Sequence, residues 1–70
     1  MLQTICISLE NGPRHVPVGS SLADLLLDLG HEEKAVSTAL NGQFVPRSQR
    51  VATLLQAGDV VLIFQAIVGG

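Results

Sequence analysis

The sequence contains no tryptophan and no tyrosine, one cysteine (Cys6), one lysine (Lys34) and three prolines in 70 residues. Each scarcity removes a class of function. Two phenylalanines are the only rings, so there is little with which to stack bases. Four Lys and Arg against six Asp and Glu, a net charge of −2, give no general attraction for nucleic acid or an anionic membrane. One cysteine closes no internal disulfide and builds no cysteine-based metal cage, which suits a reducing compartment. No run approaches the ~18 apolar residues of a membrane span. Met1-Leu2-Gln3-Thr4 has no basic region before an apolar core, so no secretory signal is expected and the cytoplasm is the expected location. Catalytic residues are sparse too: two His, one Cys and carboxylates without a recognisable spacing. A substrate pocket on the order of several hundred Å³ is hard to enclose in so small a body. Composition favours a protein that is acted on or bound over one that catalyses, with no bound cofactor or metal of its own.

What is present is enough apolar material to fold. Hydrophobic residues make up 47% and charged ones 14%, which excludes disorder and allows one small domain. Ile5, Ile7 and Leu9 alternate with Cys6, Ser8 and Glu10, and Asn11-Gly12 follows, a strong hairpin signal. A hairpin over roughly 2–9 and 14–18 is expected, with Pro17 at a strand edge or end. Ser21 with Asp24 forms a capping-box pattern, and Leu22, Leu25, Leu26 and Leu29 mark one helical face of nine or ten residues, with Leu27 off the stripe. Gly30 stands where a left-handed cap is wanted. Val36, Thr38 and Leu40 alternate up to a second Asn-Gly, Asn41-Gly42, before a short strand at Gln43-Phe44-Val45. Arg47-Ser48-Gln49-Arg50 is expected to be exposed. Val51–Leu55 is expected to hold a helical turn, with Leu54 or Leu55 plugging the sheet edge. Gly58-Asp59 turns into a last strand, Val60 to about Ala66. The order β-β-α-β-β-β predicts an α+β fold, a mixed sheet of four to five strands with one helix across one face. The domain is expected over 1–66, with a flexible tail over 67–70.

The last strand is apolar on both parities, whereas one short helix covers only one face of a sheet. Leu62, Phe64 and Ala66 therefore read as an outward patch, near Cys6 and Ala39, for docking a protein partner. The strand leads to Gly69-Gly70, two residues without side chains, which suits a carboxylate that must pass through a narrow channel.

These features together resemble the ubiquitin-like β-grasp proteins and, more narrowly, the sulfur carriers of thiamine biosynthesis, the ThiS family. The resemblance rests on Leu40-Asn41-Gly42-Gln43-Phe44-Val45-Pro46-Arg47, on Leu55-Gln56-Ala57-Gly58-Asp59 and on Gly69-Gly70, and spans nearly the whole chain. Two departures are Leu62, where many members carry an acidic residue, and the absence of a Trp after the Pro-Arg, with Val51 nearby. The resemblance implies that an E1-like adenylating enzyme, using ATP and Mg²⁺, activates the Gly70 carboxylate. A persulfide from a cysteine desulfurase or rhodanese-type donor then gives a Gly70 thiocarboxylate, whose sulfur thiazole synthase takes. Gly69 would keep the carbonyl accessible, with Val68 and Ile67 in the groove leading to the partner's site. Two other readings share the body and the Gly-Gly: the small subunit of molybdopterin synthase, and a ubiquitin-like modifier, for which the single Lys34 leaves little chain-building capacity. Cys6 reads as a plain sheet position, His15 and His31 as surface residues, Asp59 as a turn residue, and Arg47 and Arg50 as a solvated loop.

Overall fold

The computed structural model describes residues 3–65. Its strands are β1 (Thr4–Leu9), β2 (Gly12–Pro17), β3 (Val36–Leu40), β4 (Gln43–Val45) and β5 (Val61–Gln65), with one α-helix, α1 (Leu22–Asp28). β1 pairs antiparallel with β2, and β3 pairs antiparallel with both β4 and β5. A parallel bridge, Ser8 to Val60, joins the two ladders, with the Ser8 N–H donating to Asp59 O at 2.8 Å and the Gly58 N–H to Cys6 O at 2.9 Å. The order across the sheet is therefore β2-β1-β5-β3-β4, mixed because only β1 and β5 run parallel. Five strands and one helix agree with the expected α+β architecture.

The two periodicities meet in one core. Ile7, Val16, Val45 and Val61, the inward parity of four strands, pack with Leu22 and Leu25 of α1 and with Leu55. Ile5, Leu9, Leu40 and Ile63 complete the layer at its margins. α1 starts where the capping box predicts: Ser21 Oγ accepts from the Asp24 N–H at 3.1 Å, and Asp24 Oδ2 accepts from the Ser21 N–H at 2.9 Å. Two orphan donors are satisfied reciprocally. The helix is shorter than the leucine spacing suggests, seven residues, because Leu29 already serves as its C-cap and Gly30 takes φ +81°. Leu27 is 79% exposed, as its position off the stripe requires.

Two further boundaries differ from the sequence reading, each for a local reason. The first hairpin turns at Glu10-Asn11, with Leu9 opposite Gly12, so positive φ falls on Gly12 alone and β2 begins two residues early. The second hairpin does place both residues of its Asn-Gly at positive φ, 52° and 85°, the geometry that suits a two-residue turn. The turn expected within Val51–Leu55 is a 3₁₀ helix at Arg47–Ala52, started by Pro46 with its preset φ of −60°. The following residues are extended: the Leu22 N–H donates to Thr53 O and the Leu55 N–H to Ser20 O, both at 2.8 Å, so Leu55 enters the core and Leu54 stays exposed.

The largest correction is Arg50, expected in solvent and in fact 3% exposed. Its Nη2 donates to Val36 O at 2.6 Å, Nη1 to Glu33 O at 2.8 Å and Nε to Thr38 Oγ1 at 3.3 Å. The reason lies in strand lengths. β4 pairs only with Thr38, Ala39 and Leu40, leaving Val36 and Ser37 without a strand on that side. The guanidinium supplies donors where β4 has stopped at Pro46.

Candidate functional site

Alternation along β5 places Val61 in the core and turns Leu62 and Phe64 to the opposite face, which α1 does not cover. Register then builds a surface. Ala39 lies opposite Leu62 on one side and Phe44 on the other, so Leu62, Ala39 and Phe44 form one row across three strands. Phe64 lies opposite Ser37 in the next row. Phe44 is 67% exposed, Phe64 51% and Val60 44%, while Leu62 and Ala39 are half-buried. Cys6 and Ser8 of β1 are exposed on the same face. The patch thus contains both of the chain's aromatic residues. Phe44 was not singled out from sequence, although the signal existed: with Val45 inward, a two-residue turn at Asn41-Gly42 puts Phe44 across from Ala39.

The root of β5 is held by a polar cluster. The Asn41 N–H donates to Val60 O at 2.8 Å, and Asn41 Oδ1 accepts from the Val60 N–H at 2.9 Å. Asn41 Nδ2 donates to Asp59 Oδ1 at 3.0 Å, and Asp59 Oδ2 accepts from the Gln56 N–H at 2.8 Å. Asp59 is therefore a turn residue with a second task, tying the β3–β4 turn to the start of β5. At the other end Gln65 is still in register with Val36, so the last described residue belongs to the sheet. Of the residues expected to form the site, Leu62 and Phe64 lie together on the outer face; Ala66, Ile67, Val68, Gly69 and Gly70 lie outside the described residues. Cys6, His15 and His31 are exposed and distributed over β1, β2 and the segment after α1. Among the described residues no group of three or more His, Cys, Asp or Glu converges as a metal site would need.

A five-stranded mixed sheet grasping one helix, with its central strand leading to the C-terminal residues, defines a ubiquitin-like β-grasp protein. The ThiS family model matches residues 10–70. A sulfur carrier protein ThiS of Escherichia coli K12 is 38% identical over 52 residues, 74% of this chain and 79% of that protein. The crystal structure of a thiamine biosynthesis protein, ThiS, from Geobacter metallireducens superposes with a TM-score of 0.81. It is 25% identical, and the match covers 94% of this chain and all of that one. The chain belongs to the ThiS family.

Proposed function

We infer that the chain is the sulfur carrier of thiamine biosynthesis and that Gly70 bears the sulfur. The observation that carries this reading is the family match through residue 70, which includes Gly69-Gly70. The two relatives are named as a sulfur carrier and a thiamine biosynthesis protein, which favours this pathway over molybdopterin synthesis or protein modification.

The chemistry assigns the chain a passive role. A carboxylate is a poor electrophile, so an E1-like adenylating enzyme activates it: a Gly70 oxygen attacks the α-phosphorus of Mg²⁺-bound ATP and pyrophosphate leaves. The terminal sulfur of a cysteine persulfide, on a desulfurase or rhodanese-type donor, attacks the acyl carbon and AMP departs. Reductive cleavage of the S–S bond by a thiol leaves the thiocarboxylate, whose ionised sulfur is the nucleophile that thiazole synthase uses. ATP and Mg²⁺ belong to the enzyme; the carrier supplies position and recognition, in the cytoplasm. Leu62, Phe64 and Ala66 are the docking face, and Ile67, Val68 and Gly69 lead to the reacting carbonyl. Residues 66–70 span at most ~18 Å when extended, so the enzyme must engage the body closely for Gly70 to reach its nucleotide.

The test is Gly70→Ala incubated with adenylating enzyme, ATP, Mg²⁺ and persulfide donor. Wild type gains the mass difference between sulfur and oxygen, and the variant does not, with both giving the same far-UV spectrum. Equal sulfur loading of the two would refute the role of an unhindered terminal glycine.

A further inference from the structure

Among the described residues, the edge of β5 that faces β1 is paired only at its start. The Ser8 N–H donates to Asp59 O, which points the odd-numbered residues of this segment toward β1, while Val60 bonds to Asn41 on the β3 side. By the two-residue alternation of strand hydrogen bonding, the N–H and C=O of Ile63 and the N–H of Gln65 face the β1 side as well. β1 has ended by then: its last strand residue is Leu9, and among the described residues no backbone bond continues the ladder past Val61. Beside this open edge lies a groove of about 310 Å³, floored by Leu9, Leu29 and Ile63 and rimmed by Glu10, Asn11 and Gln65.

We propose that this edge and groove take an extended backbone segment of the adenylating enzyme, paired to Ile63 and Gln65 and carrying a Lys or Arg toward Glu10. Free strand edges template a further strand, and the apolar floor offers a pocket for one of its alternate side chains. Charge selects the occupant. A second copy pairing edge to edge would bring two Glu10 carboxylates to one short ladder, and each chain already carries a net charge of −2. A cationic segment from another protein meets the opposite situation. The site adjoins Gln65, the last described residue, so a strand added there would lie beside the start of the C-terminal residues. The proposal rests on the sulfur-carrier reading only in naming the adenylating enzyme as the partner.

Amide hydrogen exchange with the purified adenylating enzyme reads the pairing directly. The Ile63 and Gln65 amides are expected to exchange at least about tenfold more slowly in the complex than in the free chain. Gln65→Pro removes the edge N–H together with the side chain that rims the groove, and strands tolerate a proline at an edge N–H. It and Glu10→Lys are each expected to weaken binding by about tenfold, the scale of one lost hydrogen bond or pair. Unchanged amide exchange in the complex, or wild-type affinity in both variants, would overturn the proposal. So would protection in the free chain that disappears on truncation after Gln65, which assigns the edge to the chain's own tail, or that grows with concentration, which assigns it to a second copy. A complex that protects both amides but is never adenylated would sink the sulfur-carrier reading alone.

Discussion

Replacing Arg50 with alanine removes three hydrogen bonds at once, and the geometry sets the scale of the loss. Val36 O is buried and sits where β4 has run out, so no strand can take over from the guanidinium. A buried carbonyl left unpaired costs about 1–3 kcal/mol, and the truncated stem leaves space in the packing on top of that. Glu33 O is in a more open position and is re-satisfied by water, and Thr38 Oγ1 keeps its bond to Val45 O at 3.2 Å. The sum is about 3 kcal/mol, against a total stability of roughly 4–10 kcal/mol for a domain of this size. The melting temperature should fall by roughly 15 °C, since 1 kcal/mol is worth about 4–8 °C here. Arg50→Lys should fall about half as far, because a single ammonium cannot reach Val36 O and Glu33 O in the planar fork geometry of arginine. Far-UV circular dichroism is the appropriate probe, since the chain has no tryptophan or tyrosine for fluorescence. Arg50→Ala melting within about 3 °C of wild type would refute the argument that this residue replaces a missing strand.

Asn41 combines a left-handed backbone with two side-chain bonds, and two variants separate the contributions. Asn41→Ala should lose about 2 kcal/mol by urea titration, and Asn41→Gly about 1, since glycine accepts φ 52° without strain and loses only the bonds to Val60 and Asp59. Equal losses would remove the backbone from the account. Phe64→Asp should lower the melting temperature by about 10 °C, because the half of the ring that is already covered is worth about 2 kcal/mol, but should leave the chain folded at 25 °C and reduce adenylation by the partner enzyme at low carrier concentration. Unchanged adenylation kinetics would remove Phe64 from the docking face.

The elements whose determinants are local were legible in the sequence. The Ser21–Asp24 box, the leucine stripe of α1, the Asn41-Gly42 turn and the alternation of β5 each depend on residues within one turn or one strand. What escaped was long-range. Nothing near Arg50 in the chain distinguishes it from Arg47, which is exposed; only the mismatch between a five-residue β3 and a three-residue β4 creates the vacancy that Arg50 fills. Phe44 escaped for a related reason, since its place in the outer patch depends on cross-strand register. The open edge of β5 required knowing that Ser8 pairs with Val60, and a parallel offset of that kind leaves no trace in either strand's own pattern.

Both aromatic residues of the chain lie on the outer face, and the core is aliphatic. This distribution bears on how a carrier can bind and still let go. A Phe side chain with about half its surface exposed offers roughly 100 Å² to a partner, or about 2–3 kcal/mol on burial. Phe44 and Phe64 together would supply about 5 kcal/mol, comparable only to the low end of the ~4–15 kcal/mol that association takes in lost freedom. The patch alone therefore captures a partner transiently. Useful affinity requires the patch and the C-terminal residues to engage the same enzyme together, and an enzyme that has finished with the carboxylate loses part of its hold. Under the proposed function, successive visits to an adenylating enzyme, a sulfur donor and a synthase would then need no separate release device: the chemical state of Gly70 would change which enzyme gains from holding the C-terminal residues, while the body presents the same weak face to each.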